Sequence, residues 1–260
     1  MLAHDFIAGT SVGLIGGFTS GLLGVSPGGG LVVFSVLLLG CEQHVAQGIS
    51  LVAQIPPTSL SGIRRYWENG SRAPMRWLVL LILGMVVGGI AGALAAAKVS
   101  SSTLQWTYVF YLTALGALLI FRRAHQERGE SSDGDAGQIS WPAFLAVGTI
   151  AGFSSGFLGI GGGLAIVVGL SALLKAPQRQ AQLVGLVLAT IPTTVPSAWV
   201  YWRQDWSMSW LVVAGVVVGL WGGTDLGARM ANAVGRTALR RILISFVATM
   251  AVYMAYKALL

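Results

Sequence analysis

The sequence predicts an all-α polytopic membrane protein made of two inverted-topology repeats, and three observations carry that expectation. Hydrophobic residues make up 55% of the 260-residue chain and charged residues 10%, with 36 glycines and a mean hydropathy of +0.75. That is too little charged surface to coat a soluble globule of this length. The chain also says one phrase twice: residues 17–30 read GFTSGLLGVSPGGG and residues 152–163 read GFSSGFLGIGGG, shorter by two. An offset of 135 residues then aligns Ala46-Gln47 with Ala181-Gln182, Pro57-Thr58 with Pro192-Thr193, and Tyr66-Trp67 with Tyr201-Trp202, which marks an internal duplication. Finally, when the apolar stretches are threaded alternately through a bilayer, all of the 16 Lys and Arg except Lys98, Arg203 and Lys257 fall on one side. Thirteen against three makes that side cytoplasmic by the positive-inside rule.

The apolar stretches lie at about 6–25, 30–40, 45–63, 77–97 and 103–121, then at 141–160, 163–174, 181–199, 208–228 and 239–258. Five segments per repeat result, or eight to ten spans with broken or re-entrant helices at the glycine loops. Lipid offers the backbone no hydrogen bonds, so each segment must be helical, and no period-two alternation supports a barrel. The first stretch carries Gly9, Gly13, Gly17 and Gly21, and its counterpart carries Gly148, Gly152 and Gly156. A spacing of four puts each set on one helix face, as a surface for close packing. Gly84, Gly88 and Gly92 and their counterparts Gly219, Gly223 and Gly227 form a second such pair of faces. Stretches 30–40 and 45–57 are short, about 15 and 18 Å at 1.5 Å per residue, roughly half of a 30 Å core. They are predicted to bring the first GGG loop and the Pro56-Pro57 break to mid-bilayer, while 163–174 and 180–192 do the same from the other face. Trp67, Trp77, Trp106, Trp141, Trp202, Trp206 and Trp210 fall at or near segment ends, as interfacial belts do.

Each half crosses an odd number of times, so the second starts on the opposite side and the two are related by a pseudo-twofold axis in the membrane plane. The expected organisation is a first repeat at 1–121, a cytoplasmic linker at 122–140 and a second repeat at 141–260. The linker, RRAHQERGESSDGDAGQIS, is too polar to pack and is expected to be mobile. Both termini are expected in the periplasm, with the chain in the inner membrane. The first apolar stretch lacks a basic n-region, so no cleaved signal peptide is expected. The net charge of +7 is topological, and no nucleic-acid partner is expected. Cys41 is the single cysteine, which excludes an intrachain disulfide and suits a small filler near a helix end.

The midplane breaks locate the chemistry. Interrupted backbone survives at that depth only where it is buried in protein or lines a cavity. Gly28, Gly29 and Gly30, and likewise Gly161, Gly162 and Gly163, open helices whose free N–H groups favour an anion. Three adjacent glycines serve no single helix face and let the backbone approach an oxyanion. Ser26, Thr58, Thr193 and Thr194 can add hydroxyl donors, and Gln47, Gln54 and Gln182 amide donors. These segments hold no buried Asp or Glu to form a cation site, and neither metal nor cofactor is expected.

The paired glycine phrases, the downstream Pro-Thr and the endings Gly88-Gly89-Ile90-Ala91-Gly92-Ala93 and Gly222-Gly223-Thr224-Asp225-Leu226-Gly227-Ala228 resemble the sulfite/organosulfonate exporter family, the TauE/SafE-like or TSUP transporters. The resemblance covers essentially the whole chain. It implies an inner-membrane secondary transporter that exports sulfite, sulfoacetate or related organosulfonates by alternating access. A passive anion channel, or a transporter of another small anion, is the alternative. The lipid bilayer and the small anion are the expected partners, and the glycine faces leave room for a homodimer. Ser26-Pro27 is an insertion of the first copy.

His44 and Arg179 occupy equivalent repeat positions and are candidate guides for an incoming anion, though helix-end charges also sit at such places. Asp225 is a candidate for coupling because acids inside apolar segments tend to be functional, but Arg229 lies four residues on and can pair with it. Gly152-Phe153-Ser154-Ser155-Gly156 matches the G-x-S-x-G string of hydrolases. A nucleophile elbow needs a preceding strand and a histidine base, and the first copy has Thr19 in place of Ser154, so no enzyme is expected.

Overall fold

A computed structural model describes residues 2–23, 26–57, 75–126, 140–174, 176, 178–205, 209–233 and 236–259. The described residues form eleven helices and no strand. In chain order they are α1 (Leu2–Leu23), α2 (Gly28–Leu38), α3 (Gln43–Ala53), α4 (Met75–Ala96), α5 (Ser101–Gln126), α6 (Trp141–Leu158), α7 (Gly163–Val168, running into a π turn at Gly169–Leu173), α8 (Gln178–Thr190), α9 (Val195–Asp205), α10 (Trp210–Ala233) and α11 (Arg236–Leu259). The polar linker lies outside the described residues except for its two ends.

Local chemistry sets the boundaries. Ser100 caps α5, its hydroxyl accepting the Thr103 N–H at 3.3 Å as an N-terminal serine should. Pro142 sits in the first turn of α6, where a missing N–H costs nothing. That helix ends at Gly159, whose φ of +69° is the left-handed closure glycine allows. The apolar stretch 181–199 is two helices: Leu183–Thr190 and Val195–Gln204 meet at 47° across Ile191-Pro192-Thr193-Thr194, where Pro192 can donate no hydrogen bond to continue α8.

The π turn answers the two-residue difference between the glycine phrases. From Gly30 to Ala46 the first copy has 16 steps, and from Gly163 to Ala181 the second has 18. The wider i→i+5 turn, seen in the Leu174 N–H to Gly169 carbonyl bond of 3.2 Å, absorbs part of that excess without losing helix.

By length and composition, Met75–Ala96, Trp141–Leu158 and Trp210–Met230 can each cross a bilayer, and the bent pair makes a fourth candidate, all among the described residues. Val87, Phe110, Ile150 and Val252 stand more than 60% exposed on helix surfaces. In water such faces would be costly, and they suit a lipid solvent.

The glycine faces zip helices from different halves together. A Cβ at Gly9, Gly13, Gly17 or Gly21 of α1 would strike the carbonyl of Val212, Val216, Leu220 or Thr224 of α10, so the two run parallel in backbone contact. Gly148, Gly152 and Gly156 of α6 stand likewise against Leu81, Met85 and Gly89 of α4. The offset of 135 converts one set into the other: Gly13 against Val216 becomes Gly148 against Leu81. An operation that exchanges the halves in both directions is a twofold. Each repeat thus lends its fourth segment to its partner. One core gathers around Leu31, Ile49 and Leu220 of α2, α3 and α10, and another around Leu81, Ile166 and Leu188 of α4, α7 and α8. Two helix sets, here called bodies, follow, α1–α3 with α10 and α6–α8 with α4, and a third core around Leu51, Ala93, Leu104 and Tyr201 joins α3 and α4 to α5 and α9.

Candidate functional site

The bodies meet at the glycine loops. Ser50, on α3, donates its hydroxyl to the Gly159 carbonyl at 2.7 Å and lies 3.3 Å from the Gly28 carbonyl. One turn on, Gln54 Nε2 donates back to the Ser50 carbonyl at 3.0 Å and to its hydroxyl at 3.1 Å. With its donor so occupied, Gln54 turns its Oε1 toward Ser26 Oγ, 3.1 Å away. Ser26 Oγ is also 3.1 Å from the Ile160 carbonyl, and its single proton can serve only one of the two acceptors. The loop 159–163 is held close because Gly161 has φ +73°, and any Cβ there would collide with Gln54 and with Ser26 Oγ.

Between the bodies lies a small cavity of about 20 Å³, room for one water molecule. Ser26 and Gln54 line it from the first body. Gly161, Gly162, Gly163, Met85, Leu188 and Ala189 line it from the second, with Ile191, Thr193 and Thr194 of the α8–α9 break. None of these is charged. Thr194 is 8% exposed, and its hydroxyl is buried with no protein partner.

The predicted site residues are placed as follows. Ser26, Gln54, Gly161, Gly162, Gly163, Thr193 and Thr194 come together around the cavity. Gly28 is pressed on the Ile160 carbonyl, and Gly30 faces Thr19 Oγ1. The Gly29 carbonyl accepts a 2.6 Å bond from the Tyr108 hydroxyl. None of these three lines the cavity. Gln47 is fully buried and accepts from Tyr201 Oη at 2.8 Å, leaving its Nε2 without a protein partner. Thr58 lies outside the described residues, as do the side chains of Arg179 and Gln182.

His44 Nε2 donates to the Ala96 carbonyl at 3.0 Å, and its Nδ1 lies 3.3 Å from Ser101 Oγ, so it ties α3 to the α4–α5 turn. Asp225 and Arg229 pair at 2.7 Å with both side chains more than 60% exposed. Ser154, the central residue of the G-x-S-x-G string, sits mid-helix in α6, and its hydroxyl donates to the Ile150 carbonyl at 2.9 Å. Cys41, in the α2–α3 turn, donates to the Ser35 carbonyl at 3.4 Å, and burial pushes its thiol pKa up to about 11.

Sequence reasoning missed Ser50, Tyr108 and Met85. Ser50 stands four residues before Gln54 and so shares its helix face, a signal present in the sequence. Tyr108 and Met85 belong to distant segments, and nothing local to them marks the loop they reach.

Comparison with known proteins bears on the same residues. The profile of the family described as "Sulfite exporter TauE/SafE" matches residues 10–254. The chain is 26% identical over 230 residues to the "Probable membrane transporter protein YdhB" of Bacillus subtilis, covering 86% of this chain and 89% of that one. It is also 26% identical over 263 residues to a "Probable membrane transporter protein" of Xylella fastidiosa, covering 99% and 97%. No solved structure matches it. With the match spanning both glycine phrases and nearly the whole chain, this membrane protein belongs to the TauE/SafE sulfite exporter family of transporters.

Proposed function

We propose that the protein is a secondary transporter of small sulfur-containing oxyanions, sulfite or related organosulfonates, exporting them across the inner membrane by alternating access. The carrying observation is the cavity at the junction of the two bodies, lined by hydroxyls and glycine backbone with no acidic side chain. Such a lining offers donors to an oxyanion and no carboxylate to a cation. The unpartnered Thr194 hydroxyl is a donor already desolvated and waiting for an acceptor.

The size of the cavity supports a moving carrier. At about 20 Å³ it is too small for a sulfonate, so binding one requires the surrounding helices to move apart. The bonds that join them include Ser50 to Gly159, Ser26 to Ile160 and His44 to Ala96, each of which water or a ligand can replace. Rocking of one bundle against another around a fixed midplane site is a common route to alternating access.

Counterflow into proteoliposomes tests this reading. Preloaded unlabelled sulfite should drive saturable uptake of labelled sulfite against its gradient. Passive flux that rises linearly with concentration, without counterflow, would instead identify an anion pore.

A further inference from the structure

The twofold that relates the bodies breaks down at the cavity. Gln54 and Ser50 of the first repeat have Ala189 and Gly185 as counterparts at the offset of 135, and Ser26 belongs to the insertion that the second copy lacks. Gln54 and Ala189 both line the cavity, so its two sides are chemically unlike. Ser26, Gln54, Thr193 and Thr194 supply the polar side chains, and Met85, Leu188, Ala189 and Ile191 supply apolar surface. The first glycine loop adds no second donor cluster. None of Gly28, Gly29 and Gly30 lines the cavity.

Resting on the anion-transport reading, we infer that the site is single-headed: it takes a monoanion with one oxyanion group and a short apolar tail, and Ala189 makes it reject anions with a second charged end. The oxyanion sits among the Ser26, Thr193 and Thr194 hydroxyls. Ser26 can turn its proton to the ligand by giving up whichever of Gln54 Oε1 and the Ile160 carbonyl it serves. The tail lies against Met85 and Leu188. A carboxylate at the far end would meet the methyl and thioether groups of Leu188, Ala189 and Met85, which offer no side-chain donor, and an unpaired buried charge is strongly disfavoured. An amide at position 189, matching Gln54, would supply the missing donor.

The test compares ethanesulfonate with sulfoacetate, which differ in whether the far end is a methyl or a carboxylate. Binding to the purified full-length protein in lipid nanodiscs is measured by calorimetry. The wild type should bind ethanesulfonate at least about tenfold more tightly than sulfoacetate. Ala189→Gln should shrink or invert that ratio, whereas Ala189→Leu, a size control, should weaken both and keep ethanesulfonate ahead. Sulfoacetate binding as tightly as ethanesulfonate to the wild type overturns the single-headed site and leaves the anion-transport reading standing. So does an Ala189→Gln ratio equal to that of the wild type. If neither sulfonate nor sulfite binds, the anion-transport reading fails and this inference with it. The wild-type ratio decides the matter even if the variants do not purify.

Discussion

Tyr201 of α9 donates its hydroxyl to Gln47 Oε1 of α3 at 2.8 Å, with the Gly156 carbonyl also within reach at 2.9 Å. Both residues are buried, and the bond joins a helix of the second half to one of the first, beside the loop that closes the cavity. Gln47 Nε2 already lacks a protein partner, so this hydroxyl satisfies the only end of the amide that the protein engages.

Tyr201→Phe should therefore destabilise the protein by about 1–3 kcal/mol, the cost of orphaning a buried polar group. Thermal unfolding of the purified variant, read by intrinsic tryptophan fluorescence, checks this. A melting temperature equal to that of the wild type would show that the bond does not hold the halves together.

Gly13→Ala places a methyl group against the Val216 carbonyl, whereas the space beside Gly222 is open. The first should force α1 and α10 apart at a cost of about 1–3 kcal/mol. Gly222→Ala should be neutral or slightly stabilising, since alanine is the better helix former. Size-exclusion profiles and melting curves of the pair give the comparison.

At the cavity, Gly161→Ala forces a side chain onto a backbone at φ +73° and onto Gln54 and Ser26. Sulfite affinity should fall at least about tenfold, in keeping with about 1–3 kcal/mol of strain. Gly29→Ala meets only Tyr108 Oη at 3.5 Å, an ordinary contact, and should bind sulfite like the wild type.

Cys41 gives the topology experiment a quiet background. With its pKa raised to about 11 by burial, its thiol stays protonated at pH 8, and the thiolate that reacts with maleimide is scarce. Ser132→Cys should then be labelled in inverted vesicles and not from outside intact cells. Ready labelling from outside would reverse the proposed orientation.

These particulars show what a single sequence carries. The glycine phrases and the offset of 135 identify equivalent positions, and α2, α3, α7 and α8 appear as the short helices expected from their lengths. The four-residue glycine spacing marks contact faces, but spacing does not say that α1 pairs with α10 of the other half. Partner choice is a tertiary property, and either half could have zipped to itself with the same faces. The 181–199 stretch reads as continuous by hydropathy, although Pro192 marks its bend. At the cavity, hydroxyl and glycine chemistry is local and legible. The pinning of Gly29 by Tyr108 joins residues 79 apart in the chain and has no local signature.

If the cavity binds a sulfur oxyanion, that ligand must stabilise the folded protein, and equilibrium binding to the purified protein measures it. Sulfite, ethanesulfonate, taurine and phosphate are added as sodium salts, with sodium chloride as the control, and the melting temperature is followed. A ligand of the folded state raises stability by RT ln(1 + [L]/Kd), about 2.7 kcal/mol at a hundredfold excess over Kd. Sulfite or ethanesulfonate should stabilise the wild type and Gly29→Ala alike, and Gly161→Ala by about half as much or less. Stabilisation by phosphate or by sodium alone, with none from any sulfur oxyanion, would contradict sulfur-oxyanion binding.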